Sequence, residues 1–144
     1  MVNPISRCES KSYEFWYSQG ETLANLGHYE PALASFDRAL SLQPQHSETW
    51  VFRGVVLLHL SRYQEALNSC EQALVLQPGN TEALIFQGAA LQHLGRYQRA
   101  YTSYNQALQN AHERGKSHHT LTWQGLAKRF KRLVKLSRPE FPQA

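Results

Sequence analysis

The sequence predicts an all-α fold of three helical hairpins followed by one further helix, and three observations predict it. The chain repeats itself at a fixed period of 34 residues, in the segments 13–46, 47–80 and 81–114. Within each segment apolar residues recur at three- and four-residue steps, which is the spacing of one face of a helix. Glycine and proline then stand where those helices would stop. The alignment of the segments is free of gaps and fills whole columns. Trp16, Trp50 and Leu84 fall together, as do Gly20, Gly54 and Gly88; Leu23, Leu57 and Leu91; and Tyr29, Tyr63 and Tyr97. Further along come Ala32, Ala66 and Ala100; Phe36, Cys70 and Tyr104; and Ala39, Ala73 and Ala107.

Residues 1–12 read as a leader without periodicity. In the first unit a helix is expected from Tyr13 to a stop at Gly27, and "YEPALASFDRALSL" forms a second one ended by Pro44. Pro31 falls in the first turn of that second helix, where a missing N–H costs little. In the second unit Trp50, Gly54, Leu57 and Leu58 keep helical steps, Ser61 takes the stop position, and Pro78 closes the hairpin. In the third unit Asn80 is a suitable N-cap before Thr81 and Glu82, with the acid at the positive end of the helix dipole. Gly95 ends that helix. His112 stands where a closing proline would, so the last helix is expected to run on towards Arg114 or Gly115. A glycine inside a helix costs about 1 kcal/mol relative to alanine. Its threefold recurrence implies a partner helix in close approach, with Ala32, Ala66 and Ala100 as the facing surface.

Period, glycine, tyrosine, alanine and proline together resemble the tetratricopeptide repeat over residues 13–114. The departures are mild: Leu84 replaces the large aromatic, and Gln19, Arg53 and Gln87 stand where leucine is usual. The resemblance implies a right-handed superhelical stack whose first helices line a concave side. The inward columns would then be Glu14, Tyr17, Glu21, Ala24 and Asn25; Glu48, Val51, Val55, Leu58 and His59; and Glu82, Ile85, Ala89, Gln92 and His93. Glu14, Glu48 and Glu82 form an acidic line near the helix starts, where the dipole alone would favour them. Tyr17, Val51, Val55, Leu58, Ile85 and Ala89 form an apolar strip expected to face away from the core, and such a strip wants a cover. Chaperone-binding members of the family grip a C-terminal carboxylate with Lys and Asn in these columns. Here Tyr17 and Glu21 hold those places in the first unit, and Val51, Val55, Ile85 and Ala89 offer no replacement.

Beyond a five-residue linker, 115–119 ("GKSHH"), residues 120–137 are expected to be the first helix of a fourth unit lacking its partner, followed by a tail at 138–144. Trp123, Leu126, Ala127, Phe130, Leu133 and Val134 share an arc of about 120° on a helical projection. Lys128, Arg129, Lys131, Arg132 and Lys135 lie opposite. A terminal repeat needs this division between a docked and a wetted face. Lys128 and Lys131 fall in inward columns and would form a basic wall at one end of the groove. From residue 115 onward seven Lys/Arg meet one acid, Glu140, whereas the preceding part holds eight bases and ten acids. The net charge of +4 therefore comes from the terminal segment.

No catalytic site, cofactor or metal is expected. The repeat glycines have packing duties, no Gly-rich loop precedes a Lys-Ser/Thr pair, and His118-His119 lack further ligands at metal-site spacing. Cys8 and Cys70 make no disulfide or metal framework. The first ten residues lack an apolar signal core and no apolar run reaches the roughly 18 residues of a membrane span. A soluble, cytoplasmic, non-enzymatic protein is expected. It would bind another protein, as an extended peptide or helix, in the concave groove, acting as adaptor, scaffold or co-chaperone-like factor. The basic wall suits a partner with an acidic stretch beside apolar residues. The alternatives are a homodimer through the same apolar strip, or an anion- or nucleic-acid-binding adaptor using the basic helix. The acidic balance of the repeats and the lack of a stacking platform weigh against nucleic acid.

Overall fold

The computed structural model describes residues 11–114. The expected linker, capping helix and tail, with Lys128 and Lys131, lie outside them, as does the leader up to residue 10. Six helices and no strand occur among the described residues. They are α1 (Tyr13–Asn25), α2 (Tyr29–Leu42), α3 (Ser47–His59), α4 (Tyr63–Leu76), α5 (Thr81–His93) and α6 (Tyr97–Arg114). Each packs on its neighbours in sequence, and α3 also touches α1 and α5, so the first helices lie side by side.

Local chemistry sets the ends. The Ser12 hydroxyl accepts from the Phe15 N–H at 3.3 Å, and the Asn80 side chain accepts from the Ala83 N–H at 3.0 Å. Gly27, Ser61 and Gly95 end the first helices in left-handed conformation, at φ of 82°, 59° and 78°. The backbone closes the same way at all three. The N–H of Gly27 reaches Ala24 O and that of His28 reaches Leu23 O, with matching bonds from Ser61, Arg62, Gly95 and Arg96. This is the Schellman closure, which satisfies carbonyls that a helix end would leave orphaned. α2 and α4 are 14 residues long, whereas α6, without a closing proline, reaches 18.

The repeated glycines do sit at close approaches, but the nearest facing atoms belong to the Phe36, Cys70 and Tyr104 column, with only Ala66 O of the alanine column close by, 3.4 Å from a Cβ on Gly54. A Cβ on Gly20 would lie 2.7 Å from the Phe36 ring, one on Gly54 2.9 Å from Cys70 Sγ, and one on Gly88 2.6 Å from the Tyr104 ring. The alanines are buried beside them. Between units the rivets are Phe52 and Phe86. Phe52 leans back onto the first unit, 5.9 Å from Phe36 and 5.8 Å from Tyr17. Phe86 joins Val51, Val55, Cys70, Ala73 and Ala83 in a second apolar cluster. The same column holds an exposed Ser18 in the first unit, where no described unit precedes.

The polar residues at the leucine-like position are compensated. The Arg53 guanidinium donates to Ser69 Oγ and, at 2.7 Å, to Asp37. The Ser103 hydroxyl donates to the Gln87 side chain at 2.9 Å. Ser69 and Ser103 are buried on α4 and α6, so each polar side chain meets a polar partner rather than an apolar wall.

Candidate interaction groove

The first helices α1, α3 and α5 carry the predicted inward columns, and the structure distributes those residues unevenly. Glu14, Asn25, Glu48 and His93 are exposed, and Ala24 is buried. Tyr17, Glu21, Leu58, His59, Glu82, Ile85, Ala89 and Gln92 are half-buried. Val51 and Val55 are 0% and 3% exposed and belong to the core cluster around Cys70 and Phe86. The expectation that this valine pair faces an open strip is therefore corrected. A projection of α3 alone turns Val51 and Val55 outwards. In the stack Phe86 and Ala83 of the third unit come across and cover them. The apolar surface left open runs over Leu58, Ile85 and Ala89, with Tyr17 at the far end.

Tyr17 is held on several sides. Its ring lies 5.7 Å from Tyr13 and edge-on to Phe36 and Phe52, and its hydroxyl donates to Glu48 Oε1 at 3.0 Å. Burial, followed by the charges of Glu48 and Glu21, pushes the phenol well above its usual range. Beside it the Tyr13 hydroxyl sits within hydrogen-bond distance of Thr49 Oγ1 and of His46 Nδ1, tying α1 to the start of α3.

The acidic line is not uniform. Burial, reinforced by the Glu48 charge and opposed by Arg114, raises the Glu82 carboxyl to about 7. Gln92 accepts from the Tyr104 hydroxyl at 3.1 Å. His59 and His93 each lie flat on a tyrosine of the preceding unit: His59 on Tyr29, His93 on Tyr63. Burial lowers both imidazoles below their usual range. Placing His59 and His93 in the inward columns did not reveal this stacking. The signal was present as two columns, one of tyrosine and one of histidine. The Phe52 and Phe86 column was equally legible and equally missed.

Among the described residues no group of three His, Cys, Asp or Glu could hold a metal ion. Burial pushes the Cys70 thiol up to about 12, which leaves it un-ionised inside the core. No described helix is long and apolar enough to cross a membrane.

A sequence profile of the tetratricopeptide repeat matches residues 17–81 and again 62–114. No curated protein matches the chain. Among solved structures, the second repeat domain of Spaghetti (RPAP3), bound to the HSP90 peptide SRMEEVD, is 21% identical with a TM-score of 0.66. That match covers 72% of this chain and 96% of the other. MamA is 21% identical with a TM-score of 0.70, over 73% of this chain and 61% of its own. The Sgt2 repeat domain from Aspergillus fumigatus is 20% identical with a TM-score of 0.67, over 92% and 85%. Identities this low establish a common fold.

Proposed function

This chain belongs to the tetratricopeptide-repeat family, and on that premise we propose that its concave face holds a peptide or helix of another protein. The observation that carries the reading is the exposure pattern of the first helices. Leu58, Ile85 and Ala89 stay half exposed, while Leu57 and Leu91 beside them are buried. Apolar side chains left open on a rigid face favour a cover that removes them from water.

The Spaghetti domains bound to an HSP90 peptide make a peptide a reasonable ligand for this fold. Their particular ligand does not transfer. Tyr17 and Glu21 occupy the places where a carboxylate-gripping member would supply Lys and Asn, and Tyr17 is already engaged with Glu48. The partner is instead a segment with apolar side chains for Leu58, Ile85 and Ala89. An acidic stretch in the partner would suit the basic residues of the terminal segment, Lys128 and Lys131 among them. The cellular role is that of a cytoplasmic adaptor or scaffold, without catalysis.

The test is selection of binding peptides from a random display library against the full chain. Selected peptides should lose at least tenfold in affinity for an Ile85→Glu, Ala89→Glu variant whose circular dichroism and melting are unchanged. Lys128→Glu with Lys131→Glu should weaken acidic peptides selectively. Peptides that bind the Ile85→Glu, Ala89→Glu chain as well as the parent would overturn the reading. A solution mass of twice the chain would transfer the strip to a second copy.

A further inference from the structure

The groove is lopsided in charge. On each first helix an acid stands one turn before an inner-face residue: Glu14 before Tyr17, Glu48 before Val51 and Glu82 before Ile85. Residues three apart share a helix face, so the acids border the apolar floor that stays open at Leu58, Ile85 and Ala89. The opposite border holds Asn25, His59 and His93. Burial disfavours charge on both imidazoles. One edge carries carboxylates and the other is polar and neutral. The cations of residues 11–114, seven Lys/Arg in all, are engaged elsewhere. Arg53 pairs with Asp37 at 2.7 Å, Arg62 with Glu65 at 2.7 Å and Glu30 at 3.9 Å, and Arg99 with Glu71 at 3.9 Å, all acids of second helices. Lys11 lies over the rings of Phe15 and Trp16, and Arg38 over Trp16. Arg96 follows the far end of α5, about 20 Å of helix from its start. Arg114 acts at the third unit, where it opposes the rise of the Glu82 carboxyl that burial and the Glu48 charge produce. Among the described residues neither Glu14 nor Glu48 has a cationic partner. Both are exposed, and the Tyr17 hydroxyl holds Glu48 at the groove edge.

We propose that the segment bound in the groove carries a lysine or arginine beside its apolar side chains, seated against Glu14 and Glu48 of the first two units. This partner chemistry rests on the peptide-binding reading of the groove and adds a direction to it. The basic side chain lies at the first-unit end, and the apolar side chains cross Leu58, Ile85 and Ala89. Charge complementarity of this kind fixes register and suppresses wrong partners more than it adds affinity. The bases beyond residue 115 are the competing occupant. Carried forward by the 34-residue period plus the five residues "GKSHH", Lys128 and Lys131 fall in the columns of Ala89 and Gln92, one unit beyond Glu82 and two beyond Glu48. That register leaves the cation for Glu14 and Glu48 to a partner.

The test uses peptides selected from a random display library against the full chain. Among peptides whose binding falls on Ile85→Glu, Ala89→Glu, a Lys or Arg flanking the apolar residues should recur. Glu14→Gln with Glu48→Gln keeps side-chain size and the acceptor for Tyr17. It should weaken those peptides about fivefold and flatten their salt dependence. Replacing the peptide's basic residue by glutamine should cost about the same on the parent chain and nothing further on the double variant. Groove-dependent peptides that lack a basic residue, or that bind the double variant unchanged, overturn the proposal and leave the groove reading standing. Peptides indifferent to Ile85→Glu, Ala89→Glu overturn that reading and the proposal with it. Tighter binding to the double variant, matched by Lys128→Glu with Lys131→Glu, would assign the acids to the chain's own basic segment. A solution mass of twice the chain that reverts in the double variant would assign them to a second copy. Either result overturns the proposal.

Discussion

At Val51 one methyl-bearing side chain serves two units at once. It has no solvent exposure and packs with Cys70 and Ala73 of its own hairpin and with Ala83 and Phe86 of the next. A carboxylate there would be buried without a partner, at a cost of about 4 kcal/mol or more. Val51→Asp should therefore move the urea midpoint sharply down or abolish folding. Ile85→Asp, at a half-exposed position on the same predicted strip, should cost much less. Equal losses at the two positions would contradict the burial difference. Tyr17 shows the reverse coupling. Its position was legible as part of the inner face, but its hydroxyl is committed to Glu48, a partner 31 residues away that no local spacing reveals.

At the scale of the element, the three hairpins share one stop signal with one exception. Gly27 and Gly95 take positive φ at no steric cost, whereas Ser61 does so with a side chain. For an L-residue the left-handed region costs about 1–2 kcal/mol. Glycine there loses part of that gain through its looser unfolded chain. Ser61→Gly should consequently stabilise the protein by about 0.5–1 kcal/mol, read as a rise in melting temperature. No rise, or a fall, would show that the Ser61 conformation carries no strain. Helix starts and stops were the most legible part of the sequence, because caps, glycines and prolines act within a turn of where they stand. The close-approach glycines were legible as well, though the groups they admit, Phe36, Cys70 and Tyr104, belong to the facing helix and were assigned to the wrong column.

Across the whole molecule, ionisable groups at the unit boundaries give folding a pH dependence of mixed sign. His59 and His93 have folded-state pKa values below the usual 6.5. Their contribution is fully present above pH 6.5 and is lost as the pH falls below it. Glu82 acts oppositely. Its carboxyl sits at about 7 against an ordinary 4.5, so ionisation on folding is penalised increasingly from pH 4.5 to 7. Glu82→Gln should accordingly raise the melting temperature at pH 8 and change it little at pH 4. An equal effect at both pH values would show that the carboxyl is not held back by burial. The variant should also expose the histidine slope, with stability falling as the pH drops below 6.5.

The sequence by itself determined the period, the hairpins and the positions of their ends. These follow from interactions within a few residues, repeated often enough to be read. It also offered columns of residues for an inner face, since a column in the alignment is a line along the stack. Which of those residues stay open was decided by tertiary structure. Val51 and Val55 vanish under Phe86, the two histidines lie against tyrosines of the unit before, and Glu82 loses its solvent beside Glu48. Each outcome depends on a neighbour one unit away in space, and a helical projection of one segment contains no information about the helix that will cover it.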